Sequence, residues 1–547
     1  MKIVKVLDYK IPVLLMLAVL VAAAYLNSLY NPFMWDDKVQ VLDNPNIRGG
    51  WENVINAFSP RLWGLWTENE AIKSFYRPTH TLLSLLDYRV WGLDPFGFHL
   101  TNTVVHYGVT ALLYLFALRL TADTAASFFA AAIFAVHPAH TESVSFIAAR
   151  PDLLCAVFLL LSFHLYAFAG GAQRVEAEGR AGLLKWRYIL SLVFFVLSLL
   201  SKEMSVVLPV FLLFHALAWG KWRLSRRGLA VLPFFVVLAL YAAFRVFGVS
   251  IFVEQHRLRA DTLTLGYTAA VAVFDYIRLL FFPYPLKAYY SIVWYNGLSA
   301  RVVLALALLG ASALSFLWLL VTKRKAAAFM LFWTYFSLAP VLNIGSLGEF
   351  SMAERYLYIP SIGFSVLFAM AFASYVRRRG ISARKAGIAA ALILAVLTLL
   401  TVKRNRVWGD DMTFFTAMVK GAPDSAVPHA NLAQAYFSAG DMERAANELE
   451  TAIGISGPNP RLYYELGYVY GRLGRLTEAV RELEKAISLD PRFEDAYIAL
   501  GVAHGSLGNY AAAADPFRSA LLLNPASERA ASYLEKAERF LDDGGED

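Results

Sequence analysis

"IPVLLMLAVLVAAAYLNSLYNPFMWDD", Ile11 to Asp37, is the stretch on which the fold turns. Residues 11–29 hold no charged side chain, and about 20 apolar residues suffice to cross a bilayer as a helix. They follow Lys2, Lys5 and Lys10, in the manner of a secretory signal, but "AAAYLNSLYNPF" is a poor cleavage site, so an uncleaved anchor is expected. Two adjacent carboxylates behind a tryptophan then stand where the chain leaves its first apolar run.

The rest of the composition agrees with a chain that lives in lipid. Of 547 residues, 58% are hydrophobic and only 17% charged, against the usual quarter of a soluble protein; mean hydropathy is +0.49. The net charge of +8 raises the question of nucleic acid, yet many of the Lys and Arg residues sit in short clusters between apolar runs, so the basic balance is read as topology and no nucleic-acid partner is expected. The single cysteine, Cys155, lies in the apolar run "LLCAVFLLLSF" and excludes a disulfide within the chain.

Twelve apolar runs are candidates for spans. With a cytoplasmic N-terminus, the basic connections Arg174 to Arg187, "GKWRLSRRG", "TKRK" and "YVRRRGISARKAG" all fall inside only if one run does not cross. Residues 266–282 are set aside, because Asp275 and Arg278 sit mid-run and an interfacial helix tolerates them better than a span. Eleven spans are then expected. The loops holding "WDD", "HPAHTESVSFIAARPD", "SKE" and "GSLGEFSMAERYLYIPS" share one non-cytoplasmic face.

After "VKRNRVWGDD" the composition turns soluble and a period of 34 appears. Gly440, Gly474 and Gly508 are in register, as are Ala445, Ala479 and Ala513, Ala452, Ala486 and Ala520, and Leu432, Leu466 and Leu500. This spacing resembles tetratricopeptide repeats: small residues let paired helices approach, glycine makes the turn, and Pro491 and Pro525 end a second helix. Three repeats and a capping helix near 526–541 are expected. The domains are therefore 1–405, polytopic, with a first outer loop over 30–98, and 406–547, a repeat array on the same face as "WDD", suited to an extended peptide or partner protein.

Four polar clusters carry candidate chemistry. Asp36 and Asp37 follow the first span directly, with Glu52, Glu68 and Glu70 in the long loop before the second, and a carboxylate beside the membrane can deprotonate a hydroxyl placed within hydrogen-bond reach. "YRPTHTLLSLLDYRVW" reads as an amphipathic helix over 79–91 lying on the bilayer, with Leu82, Leu83, Leu85 and Leu86 on its apolar side, Tyr76 and Trp91 at headgroup level, and Arg77 within reach of a phosphate. "HPAHTESVSFIAARPD" brings His137, His140, Glu142, Arg150 and Asp152 together. Their spacing permits a metal, but no HExxH pattern or matched cysteine accompanies it; the other reading is a buried polar network under a cavity, with Arg150 free to fork onto phosphate oxygens. Lys202-Glu203 and Glu354-Arg355 add two acid and base neighbours at span ends, Lys202 and Arg355 being further phosphate ligands.

Taken in order, "WDDKVQVLDNPNIRG", "YRPTHTLLSLLDYRVWGLDPFGFHLTNTVVH", "HPAHTESVSFIAARPDLL", "LSKEMSVVLPV" and "AERYLYIPSIGF", followed by the repeats, resemble the transmembrane-and-tetratricopeptide-repeat O-mannosyltransferases and their prokaryotic relatives. The resemblance implies an all-α fold, a GT-C glycosyltransferase bundle, in which a polyprenyl-phosphate sugar is the donor. It implies that Asp36 or Asp37 takes the proton of an acceptor hydroxyl attacking the anomeric carbon with inversion. The sugar would be a hexose, mannose by family, and the acceptor a Ser or Thr of an outer-face protein, with a lipid or glycan acceptor, or a non-catalytic assembly scaffold, as alternatives. No cofactor is expected beyond the lipid-linked sugar phosphate as co-substrate, a divalent cation stays open, and the short tail favours a bacterial inner membrane with periplasmic repeats over an endoplasmic-reticulum membrane.

Overall fold

The computed structural model describes residues 2–48, 50, 52–59, 76–167, 181–219, 230–247, 261–342 and 350–543. Glu68, Glu70, "GKWRLSRRG" and residues 174–180 of the Arg174 to Arg187 connection lie outside the described residues. The chain divides into two compact units, Met1–Leu286 with Ser291–Asp410, and Lys287–Tyr290 with Asp411–Asp547.

The first unit is a bundle of α1 (Lys2–Tyr25), α2 (Pro78–Trp91), α3 (Pro95–Thr121), α4 (Thr124–Val136), α5 (Arg150–Ala167), α6 (Ala181–Ser201), α7 (Leu208–Trp219), α8 (Leu232–Phe247), α9 (Thr262–Phe281), α10 (Ala300–Val321), α11 (Lys325–Phe336), α12 (Pro360–Arg378) and α13 (Ala383–Asn405). Their starts are chemically marked. Asp94, Asp123, Asp261, Ser299 and Ser382 each accept from a backbone N–H of the first turn of α3, α4, α9, α10 and α13, satisfying donors that a helix cannot satisfy itself. The interior is α5 against α6, α3 against α4, and α12 against both α4 and α11.

The outside of this unit is apolar. Leu304, Leu314, Leu317 and Val321 of α10 and Leu392, Val396 and Leu399 of α13 are exposed, an arrangement that water would penalise and hydrocarbon does not. Among the described residues, seven helices are long and apolar enough to cross a membrane, with four shorter apolar helices beside them. This revises the span reading. The 20-residue α9 is one of the seven, and its Asp275, the reason for placing 266–282 on the surface, is neutralised by Arg301 at 2.7 Å.

Helix α2 also departs from expectation. Leu86 and Val90 are exposed, as on a lipid-facing side, but Thr79, His80, Thr81, Ser84 and Asp87 are buried in protein rather than solvated. Tyr76 is buried too, its hydroxyl donating to the Phe58 carbonyl at 2.9 Å. The helix turns its polar side inward because its outer solvent is not water.

In the second unit, α14 (Asp411–Gly421) precedes three antiparallel pairs, α15 (Ala426–Ser438) with α16 (Met442–Ser456), α17 (Pro460–Arg472) with α18 (Leu476–Leu489), and α19 (Glu494–Ser506) with α20 (Tyr510–Leu523), closed by α21 (Glu528–Asp543). The turn glycines Gly440, Gly474 and Gly508 have φ of 83°, 76° and 79°, left-handed values that favour glycine. Ala445, Ala479 and Ala513, and Ala452, Ala486 and Ala520, have no exposed surface. Where helices meet at alanine, a larger side chain has nowhere to go. Ala479→Leu is expected to destabilise this unit by about 1–3 kcal/mol, read as an earlier denaturant midpoint for its helices than in the parent.

Candidate functional site

The segment leaving α1 is fixed by stacking. Trp35, at a left-handed φ of 45° that a bulky residue rarely adopts, lies parallel to Phe146 with centroids 5.9 Å apart, and Phe146 in turn stacks on Trp408 at 5.1 Å. The backbone is thereby turned sharply at the residue before the two carboxylates, which separates their surroundings.

Asp37 has no exposed surface. Its carboxylate accepts from the N–H of Met34 at 3.2 Å and of Ala148 at 2.7 Å, tying the loop to the turn that starts α5. Burial, with the neighbouring Asp36 adding to it, pushes its pKa up to about 8. Asp36 is half-buried, and no described group hydrogen-bonds or ion-pairs with its carboxylate. Burial raises its pKa while the charges of Arg355 and Arg77 pull it back. Among the described residues one carboxylate is engaged by backbone donors and the other is not.

The cations expected around a phosphate do not stand equal. Arg150 has no exposed surface; it ion-pairs with Asp87 at 2.7 Å and donates to Asn102 Oδ1 at 2.6 Å, Ser84 Oγ at 3.2 Å and the Phe98 carbonyl at 3.0 Å. The expectation of a guanidinium open to phosphate is corrected here, since its donors are consumed joining α2, α3 and α5. Lys202 is buried and reaches both oxygens of Asp152 at 2.7 Å. Arg355 keeps 30% of its side chain exposed and Arg77 18%. These two are the more exposed of the four cations.

Sequence neighbours turn out not to be partners. Glu203 ion-pairs with Arg245 at 2.6 Å and lies 3.9 Å from Arg77, not with Lys202. Glu354 is buried against Arg404 at 3.1 Å, while Arg355 turns the other way to Glu142. Extended or 3-10 backbone at 202–207 and 353–357 sends adjacent side chains in different directions. Glu142 grips Arg355 twice, through Nη1 at 2.7 Å and the backbone N–H at 2.9 Å. Burial opposes the Arg355 charge, but Glu142, with Asp152 and Asp36 behind it, outweighs burial and raises its pKa. A carboxylate so engaged positions a cation.

His137 and His140 fasten helix ends. His137 bonds the Leu280 carbonyl at 3.0 Å and accepts from Ala139 N–H, and His140 bonds the Phe134 carbonyl at 2.9 Å and Ser361 at 2.8 Å. Burial keeps His137 neutral, its pKa pushed down to about 4. Among the described residues no three His, Cys, Asp or Glu side chains gather to hold a metal ion. Sequence reasoning missed Asp87, Asn102 and Arg404, which only distant pairing reveals, and Tyr356, whose ring lies 5.1 Å from Lys202 Nζ and 5.5 Å from the Arg355 guanidinium. It also missed His80, buried with both ring nitrogens unbonded among the described residues. The signal was present: a polar stripe, Thr79 to Asp87, on a helix within a lipid-rich chain.

Bundle, polar mouth and repeat array together define a polytopic helical membrane protein with an appended tetratricopeptide domain. The patterns described as "TPR repeat" match residues 433–474 and 472–508, and "Tetratricopeptide repeat" matches 494–527. The chain is 26% identical over 507 residues to the Mus musculus protein O-mannosyl-transferase TMTC3, covering 86% of this chain and 54% of that protein. It is 26% identical to human protein O-mannosyl-transferase TMTC4, covering 76% and 62%, and 25% identical to the Caenorhabditis elegans protein O-mannosyl-transferase F38B6.6, covering 77% and 59%. The chain spans about half the length of the curated relatives it matches. Across most of its own length it is related to the TMTC protein O-mannosyl-transferases.

Two outcomes follow from the pairings. Arg150→Ala, which strands Asp87, is expected to cost about 3–5 kcal/mol of stability, seen as loss of folded protein rather than as a selective defect in anion binding. Asp37 has a raised folded pKa, so its contribution to stability is complete below the unfolded carboxylate value of about 4 and is lost as pH rises through about 8. Thermal melts of Asp37→Asn across that window are expected to be flatter with pH than those of the parent.

Proposed function

We propose that the chain is a membrane glycosyltransferase of GT-C type that moves a mannosyl group from a polyprenyl-phosphate donor to a Ser or Thr hydroxyl of an outer-face protein, with inversion. The observation that carries the proposal is the Asp36 carboxylate, half-buried and unbonded among the described residues, under the charges of Arg355 and Arg77. The names of the relatives support the reaction class.

In this reading Arg355 and Arg77 hold the donor phosphate, since a guanidinium matches phosphate oxygens in geometry and charge. The acceptor oxygen attacks the anomeric carbon from the face opposite the phosphate. The bond from that carbon to the phosphate oxygen breaks, polyprenyl phosphate leaves, and the hydroxyl proton passes to Asp36. Glu142 keeps Arg355 in place, and Lys202 with Asp152 gives that mouth a rigid floor. A base fixed a few residues beyond α1 suits a donor whose phosphate cannot leave the interface. The acceptor is engaged by the repeats, whose inner side has a cavity of about 540 Å³ walled by Tyr464, Tyr468, Asp495, Arg529 and Tyr533.

Purified protein is incubated with radiolabelled polyprenyl-phosphate mannose and outer-face protein, and label is expected in the protein fraction; label confined to lipid or glycan overturns the acceptor. Asp36→Asn keeps shape but cannot take a proton, so turnover is expected to fall about 10²–10⁴-fold with donor affinity unchanged. Because burial raises the Asp36 pKa, the acid limb of the parent's rate profile is expected above the ordinary carboxylate range. Near-normal turnover in a folded Asp36→Asn protein removes Asp36 as base.

A further inference from the structure

The end of the bundle remote from Asp36 holds a cavity of about 1020 Å³. Helix α3 connects the two ends. Its Phe98 carbonyl meets Arg150 beside the site, and its last residue, Thr121, lines the cavity; at 1.5 Å per residue the intervening helix is about 35 Å long, roughly the thickness of a bilayer core. Helix α12 makes the same passage, from Pro360 just beyond Arg355 to Arg377 and Arg378 in the cavity wall.

Among the described residues five cations line this cavity against one carboxylate. Lys323, Arg324 and Lys325 come from the turn between α10 and α11, Arg377 and Arg378 from the end of α12, and the carboxylate is Asp123. Asp123 is taken by Arg377 at 2.9 Å, which leaves the other four uncompensated by it. Lys323 adopts a left-handed φ of 56°, and Arg324 is held over the Trp318 ring at 4.5 Å. The turn therefore presents its charges with part of the ordering cost already met. Behind the cations the walls are apolar, with Leu120, Trp219, Leu319, Leu367 and Met370.

Topology alone asks for cations in a connection, not for a recess with apolar walls behind them. A ligand with anionic oxygens at one end and hydrocarbon at the other satisfies both parts, and so we propose that this cavity binds an anionic phospholipid. Its headgroup lies among Lys323, Arg324, Lys325 and Arg378, and its acyl chains run along the walls. Four cations suit a headgroup with two phosphates better than one with a single phosphate.

The full chain, delipidated in a nonionic detergent, is titrated with cardiolipin, phosphatidylglycerol or phosphatidylcholine and followed by native mass spectrometry. Cardiolipin is expected to bind tightest and phosphatidylcholine roughly ten-fold or more weakly than it. Lys325→Gln with Arg378→Gln, both exposed residues, is expected to lose about ten-fold for cardiolipin. Arg384→Gln with Lys385→Gln, an exposed basic pair on the following helix outside the cavity, is expected to lose nothing. Equal binding of phosphatidylcholine by the parent protein overturns the proposal without recourse to any variant. So does an equal loss in both double variants, or full displacement of cardiolipin by inorganic diphosphate at matched concentration.

Discussion

A guanidinium taken wholly out of water costs several kcal/mol unless its donors find acceptors, and in this protein that requirement is met at Arg150. The four groups that meet it come from two helices, Asp87 and Ser84 on α2 and Phe98 and Asn102 on α3, and tie both to the start of α5. No one of these helices can shift along another without stranding a charge. Two residues before Arg150, the N–H of Ala148 binds Asp37, so the loop after α1 is registered on the same point. Arg77 immediately precedes α2 and is carried with it. The positions of Asp36 and Arg77 are thus consequences of one buried cation.

The two acidic residues of "WDD" divide their labour for the same reason. A loop crossing from a helix end to a buried turn must satisfy backbone donors that it cannot pair itself, and Asp37 supplies the acceptors. Once it is committed, Asp36 projects where no group among the described residues claims it. A carboxylate that is partly desolvated and left unbonded is a stronger base than one in water, and two guanidinium charges nearby keep it from being neutralised outright. The cost of holding it there is spread over the Trp35, Phe146 and Trp408 stack and the bonds of Asp37.

Crossed pairing extends this logic through the mouth of the bundle. Lys202 with Asp152, Glu354 with Arg404, Glu142 with Arg355, and Glu203 with Arg245 each join segments far apart in the chain. Each pair neutralises charge that an apolar exterior could not solvate, and each fixes one element on another. What stays exposed, Arg355 and Arg77, does so because its carboxylate partner leaves part of the guanidinium uncovered. At the other end of the bundle the described cations outnumber the acids, and the pairing of Arg377 with Asp123 cancels only one of them. The two ends of one bundle therefore present different chemistry to the two sides of a membrane.

The sequence determined whatever depends on period and composition. The 34-residue register named the alanines that ended with no exposed surface and the glycines that ended with left-handed φ, because close helix packing and tight turns admit few residue types. Apolar runs likewise foretold the helices. Tertiary structure decided the rest. Side chains that pair across 50 or 200 residues carry no local signature, so Arg150 was read as open when Asp87, Ser84 and Asn102 enclose it, and Lys202-Glu203 and Glu354-Arg355 were read as neighbours when each reaches elsewhere. The choice of which carboxylate, Asp36 or Asp37, is tied to the backbone was likewise invisible in two identical letters. It was made by the Ala148 N–H, which lies 111 residues from Asp37 along the chain and 2.7 Å from it in space.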